Sequence, residues 1–183
     1  MDAIRKNRPF FIFLLKFGFS YLFLSGLYWL YLSQFDAANN EPDGMTGLVA
    51  YQTEALVDFF GEDAYTRPRT YENSFRFFIN NQRVARIVEG CNGISVMILF
   101  TAFIIAFSST VKRTAVYIIC GIIFMHILNV LRVALLCLSI YYYPQYENVL
   151  HDIFFPLFIY GVVFVLWILW VTKFSGHAKK VKA

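Results

Sequence analysis

Four long apolar stretches dominate the chain, and polar residues are confined to the gaps between them. Pro9 to Ser33 is broken only by Lys16, Gly90 to Val111 carries no charge, Thr114 to Tyr146 carries only Arg132, and Ile153 to Thr172 carries none. A helix that crosses a bilayer needs about 20 consecutive apolar residues. The pattern therefore predicts four spans, over 9–33, 91–111, 114–142 and 152–172. The third run is too long for one untilted span, so it is expected to tilt, break or emerge beyond the membrane.

The 34–89 segment has a different pattern. Gln34 to Asp43 is polar and ends in Asn39-Asn40-Glu41-Pro42-Asp43-Gly44, which reads as a linker. From Met45 to Phe60, residues Leu48, Tyr51, Leu56, Phe59 and Phe60 recur at roughly helical spacing, which predicts an amphipathic helix on the outer leaflet. Gly61, Glu62 and Asp63 end it, and Pro68 marks an irregular stretch. Phe75–Ile79 and Val84–Val88 are rich in β-branched and aromatic residues and flank the turn signal Asn80-Asn81, predicting a β-hairpin. The fold expected is an all-α integral membrane protein: about four transmembrane helices, an outer amphipathic helix and a short β-hairpin before the second span. It forms a single membrane domain over 1–183.

Composition agrees: 58% hydrophobic, 20% aromatic and only 15% charged residues, far from the usage of a soluble domain. The net charge of +4 is distributed by topology and gives no nucleic-acid signature. Arg5, Lys6, Arg8 and Lys16 lie at the first end, Lys112 and Arg113 between the second and third spans, and Lys173, Lys179, Lys180 and Lys182 in the tail (173–183). The 34–90 stretch holds nine acids and five arginines, and Glu147 and Asp152 lie between the last two spans. Since cytoplasmic loops carry the excess of Lys and Arg, both termini are expected inside and the 34–89 segment outside. The first run has a basic start but no small-x-small cleavage site, so it reads as an uncleaved anchor.

Cys91, Cys120 and Cys137 are the only cysteines. An odd count with two inside predicted spans does not make a disulfide framework, and no Cys/His spacing suits zinc. Cys120 and Cys137 read as apolar packing residues. Neither a metal nor a cofactor is expected.

Candidate chemistry emerges from depth. Helices rise about 1.5 Å per residue. From the Lys112-Arg113 turn, Cys91 lies about 20 residues back and Arg132 about 19 residues forward, so both stand about 30 Å away, the thickness of the hydrocarbon core. His151 opens the fourth run, about 22 residues before Lys173. All three are expected at the outer boundary. Cys91, in Glu89-Gly90-Cys91-Asn92-Gly93, is placed at a helix N-terminus, where free N–H groups favour a thiolate. The glycines would admit a substrate backbone. Arg132 is followed by the apolar run Val133–Ile140, and an intramembrane arginine is costly unless it has a partner or a role. Asn129, one turn away, is placed to hold the guanidinium. His151 suits proton transfer near neutral pH.

Each also has a simpler reading: Cys91 as a buried small residue, Arg132 snorkelling to headgroups, and His151 as an ordinary interfacial histidine. His126 reads as a packed or hydrogen-bonding residue and His177 as solvated. Taken together, Cys91, Arg132 and His151 suggest covalent thiol chemistry: attack on a carbonyl by Cys91, proton transfer by His151 and oxyanion stabilisation by Arg132. Glu89, Asn92, Gly93, Asn129 and Asp152 are candidate supporting or substrate-binding residues.

At these positions the chain resembles the exosortase/archaeosortase family of membrane cysteine proteases and transpeptidases. The resemblance rests on Glu89-Gly90-Cys91-Asn92-Gly93-Ile94, Asn129-Val130-Leu131-Arg132-Val133 and His151 opening the last span, and covers roughly 56–183. Their order matches the family's proposed Cys, Arg, His triad. The short length and high Phe content are most similar to a compact exosortase F-type protein. The chain departs from the family where Ser or Ala often precedes the cysteine and Ser follows it; here these are Gly90 and Asn92. It also has four predicted spans where many members have about eight.

The resemblance implies an enzyme of a bacterial inner membrane, its active site facing the periplasm. The implied partners are exported proteins with a C-terminal sorting signal (a motif, a transmembrane helix and a basic cluster) and the lipid bilayer. Cleavage through a thioester is implied, with release to water or another acceptor. Two other readings stay open. A non-enzymatic assembly factor for export or polysaccharide would use the outer segment and tolerate loss of Cys91. A thiol acyltransferase would need a lipid-sized groove. A redox role is disfavoured because no second cysteine is predicted at the outer face.

Overall fold

The computed structural model describes residues 7–35, 42–69 and 72–175. Parts of the basic N-terminus and of the linker, and the end of the tail with His177, Lys179, Lys180 and Lys182, lie outside them. The helices are α1 (Arg8–Leu32), α2 (Gly44–Phe59), α3 (Ile94–Ala106), α4 (Val111–Tyr142) and α5 (Phe155–Leu169). Three strands, β1 (Ala64–Pro68), β2 (Ser74–Ile79) and β3 (Gln82–Val88), form an antiparallel sheet in the order β1-β2-β3.

Three helical stretches are long and apolar enough to cross a membrane: Arg8–Leu32, Val111–Tyr142 and Pro144–Phe174. The chain is a multi-pass membrane protein in type. Helix α1 buries none of its residues, and Leu15, Phe19 and Leu22 are each more than 70% exposed, a surface that lipid covers at no cost and water does not. Helix α4 is unbroken through 32 residues, about 48 Å. This resolves the choice between a broken and a long third segment. The second apolar run is helical only over 13 residues, about 20 Å. Gly93, with φ +77°, sets its start, and the chain leaves the helix at Phe107. That helix is thus shorter than the 91–111 span expected. Short π-helical turns, Leu150–Phe154 and Trp170–Phe174, flank α5.

The chain divides into two compact units. The first comprises 1–29, 95–124 and 160–183 and is packed by aromatic rings. Phe13 meets Phe107 at 4.4 Å between centroids, Phe103 stacks on Trp167 at 4.3 Å, and Tyr117 lies 4.8 Å from Trp170. Gly121 lies so close beneath Phe100 that a Cβ there would collide with the ring.

The second unit, 30–94 and 125–159, holds the sheet. Val49, Ala50 and Val57 of α2 pack in one core with Phe75, Phe77, Ile79 and Ile87 of the sheet and Val130, Val133, Ala134 and Cys137 of α4. The buried face of α2 is made of small residues because the sheet lies close: a Cβ on Gly47 would stand 3.3 Å from the Phe75 ring. The larger residues Leu48, Tyr51, Phe59 and Phe60 of the 45–60 pattern face outward. The β2–β3 hairpin turns through Asn80 and Asn81, both at positive φ (49° and 65°), which Asn tolerates better than most residues.

Strand β1 corrects the reading of an irregular stretch at Pro68. Proline is acceptable there because it closes an edge strand. The outward N–H groups of that edge are taken by carboxylates of α2: Ala64 N–H donates to Asp58 (2.7 Å), and Thr66 donates to Glu54 from both its N–H and its hydroxyl (2.8 Å each).

Candidate active site

The second unit places Cys91 at the end of the sheet. Strand β3 runs into a 3₁₀ turn, Glu89–Cys91, and α3 begins at Ile94. The thiol therefore stands three residues ahead of the helix, not on its first turn as expected. A helix dipole fades within about one turn, so it does little for this sulfur.

Asn92, 1% exposed, anchors the turn. Its Oδ1 accepts from Ile94 N–H at 3.0 Å, and its Nδ2 donates to the Thr46 hydroxyl at 3.3 Å. Thr46 donates in turn to Asp43, which caps α2 by accepting from Met45 and Thr46 N–H, each at 3.0 Å. One polar chain thus joins the start of α2 to the turn that carries Cys91.

A second anchor comes from α4. Asn129, 3% exposed, donates from Nδ2 to the Cys91 carbonyl at 2.8 Å. The expectation that it holds Arg132 is therefore corrected: it holds the cysteine's backbone. Gly93 is a glycine for the same reason, since a Cβ there would stand 3.0 Å from Asn129 Cγ.

Cys91, Arg132 and His151 line one cavity of about 210 Å³. Three separate stretches deliver them: the 3₁₀ turn, α4 and the turn before α5. Ile87, Val133, Leu136 and Ile140 supply apolar wall. Cys91 is half-buried. The Nε of Arg132 is buried and has no hydrogen-bond partner among the described residues, leaving a donor unspent. His151 Nδ1 lies 2.7 Å from Asp152 Oδ1. A carboxylate at Nδ1 favours the tautomer with its proton there and leaves Nε2 free to accept one. Both side chains are more than half exposed, so the pair adds little stability.

Glu89, Asn92, Gly93, Asn129 and Asp152 do not line this cavity. Asn92, Gly93 and Asn129 hold the turn, and Asp152 holds His151. Glu89 is exposed, and its carboxyl is pushed above the ordinary range, first by partial burial and then by the negative charge of Asp43.

Arg86, Glu147 and Cys137 also line the cavity, though none was a site candidate from sequence. Glu147 precedes His151 by four residues, a spacing that puts both on one face of a helical turn. Arg86 donates to Glu72 at 2.8 Å. Burial alone would raise the Glu72 carboxyl, but the hydrogen bond and charge of Arg86, with Arg69 beside it, hold it below the ordinary range. Cys137, 1% exposed, is a packing residue as expected, yet it borders the same cavity as Cys91. The sequence places no second cysteine at the outer face, yet Cys91 and Cys137 line one cavity.

The family model for transmembrane exosortase (EpsH) matches residues 11–172. The chain belongs to the transmembrane exosortase family. Membership implies a transpeptidase-like membrane enzyme that acts on proteins bearing sorting signals. No curated relative and no solved structure matches the chain.

Proposed function

We propose that this exosortase-family protein is a cysteine protease/transpeptidase that cleaves C-terminal sorting signals at the outer face of a bacterial inner membrane. One observation carries the reading: Cys91, Arg132 and His151, 41 and 19 residues apart in sequence, border a single small cavity. Cys91 Sγ attacks the scissile carbonyl while His151 Nε2 takes the thiol proton, oriented by Asp152. The oxyanion is stabilised by the Arg132 guanidinium. The tetrahedral adduct collapses, the C–N bond breaks, and His151 returns the proton to the leaving amine. The resulting Cys91 thioester is released by water or by an amine or hydroxyl acceptor. Both termini are cytoplasmic, α3 serves as the shorter fourth crossing, and the chain is a compact F-type member.

The cavity favours this reading over acyl transfer. At about 210 Å³ it is smaller than the roughly 300–1,000 Å³ of pockets that enclose drug-sized ligands, too little for a lipid chain but enough for a peptide carbonyl and its flanking groups.

The test co-expresses a sorting-signal protein encoded in the same genome with wild-type or Cys91→Ala protein, at equal accumulation in membranes. C-terminal processing is expected only with wild type. Processing that persists with Cys91→Ala overturns the assignment of the nucleophile for that substrate.

A further inference from the structure

The first unit contains a second cavity, of about 690 Å³, and three cations line it: Lys112, Arg113 and Lys173. Its aromatic wall is Tyr117, Trp170 and Phe174. These rings are packed on one another, with Tyr117 4.8 Å from Trp170 and 5.4 Å from Phe174.

The polar atoms of that wall are already used. The Tyr117 hydroxyl donates to the Leu166 carbonyl at 2.7 Å, and Trp170 Nε1 donates to the Phe107 carbonyl at 3.0 Å. A polar ligand would therefore be held by the cations and a greasy one by the rings. Among the described residues the cations are uncompensated. The described residues of this unit, 7–29, 95–124 and 160–175, contain no Asp or Glu. None of the three cations has a carboxylate partner among the described residues.

An anion fits the charge, and an amphiphile fits the walls. Val116 and Ile119 of α4 and Ile168 of α5 are each 46–57% exposed, so the helices around the cavity present hydrocarbon surface. We propose that this cavity binds the phosphodiester headgroup of an anionic phospholipid, with the phosphate among Lys112, Arg113 and Lys173 and the glycerol end against the aromatic wall. Basic pockets between membrane helices on the cytoplasmic side favour such headgroups. The site is independent of the thiol chemistry and stands or falls separately from it.

Native mass spectrometry of the full-length protein in detergent tests it, with phosphatidylglycerol and phosphatidylcholine of matched chains as probes. The protein is expected to retain phosphatidylglycerol in preference. Lys112→Gln with Lys173→Gln is expected to weaken that retention about tenfold or more. The charge-matched pair Lys179→Gln with Lys180→Gln is expected to leave it nearly unchanged. Lys112→Arg with Lys173→Arg keeps the charge and is expected to keep binding, which separates loss of the site from loss of the fold. Equal weakening by both Gln pairs, or no preference between the lipids, overturns the proposal. Displacement of phosphatidylglycerol by equimolar glycerol phosphate overturns the lipid assignment in favour of a free phosphate ester.

Discussion

At Gly93 the backbone turns with φ +77°, and a Cβ added there would stand 3.0 Å from the Asn129 side chain. A left-handed residue with a Cβ costs roughly 1–2 kcal/mol, and here it would also push away the amide that holds the Cys91 carbonyl. Gly93→Ala is expected to lower thermal stability by that order and to reduce processing. Gly90→Ala, with open space around it, is expected to be tolerated in both assays. The motif's glycines looked equivalent in sequence, and the positive φ of Gly93 and the packing of α4 separate them.

Glu89 gives a pH dependence with a defined sign. Its carboxyl is raised above its ordinary value of 4.5 by partial burial and by Asp43. The folded state therefore binds this proton more tightly than the unfolded state. The stabilisation is complete below about pH 4.5 and is lost as pH rises through the higher folded value. Glu89→Gln removes that loss. Melting curves from about pH 4 to 7 are expected to show wild type declining relative to the variant. A constant offset would contradict the shift. Cys91, Arg132 and His151 could be singled out as candidates because Cys, Arg and His are conspicuous in apolar runs. Glu147 and Arg86 were not, because charged residues in an outer segment are ordinary until a cavity selects them.

Among the elements, α2 links fold and site. Its cap, Asp43, is 4% exposed and accepts from two backbone N–H groups and from Thr46, which receives the Asn92 amide. Replacing such a cap by Ala costs about 1 kcal/mol. Asp43→Ala is expected to show that loss in thermal unfolding and to slow processing, since the turn carrying Cys91 loses one of its two anchors. Asp43→Asn keeps an acceptor and is expected to lie between. The helix and the β2–β3 hairpin were legible from periodicity and from Asn80-Asn81. Which face of α2 is buried was not, because the buried residues are the small ones and the pattern is drawn by the large. Strand β1 was missed because its pairing is stabilised by Glu54 and Asp58, more than five residues away, and not by its own composition.

For the whole molecule, apolar runs announced a membrane protein, and three of the four runs appear as helices long enough to cross. The remaining run gives the shorter α3, which starts after the Asn92–Gly93 turn and ends at Ala106, so local structure at both ends overrode a hydropathy pattern. Charge placement predicts the orientation. A periplasm-active phosphatase reporter fused after Gln145 is expected to be active, and one fused after Ser175 inactive. The opposite pattern would put the Cys91 cavity on the cytoplasmic side and remove exported proteins as substrates at that stage.

The central claim is that Cys91 forms a thioester with its substrate. The most direct measurement is intact-mass and peptide analysis of the membrane-purified protein after co-expression with a sorting-signal protein, with and without hydroxylamine. A substrate fragment on Cys91 that hydroxylamine releases is expected, absent from Cys91→Ala. Substrate processing at the wild-type rate with no such adduct, and undiminished in Cys91→Ala, would contradict it.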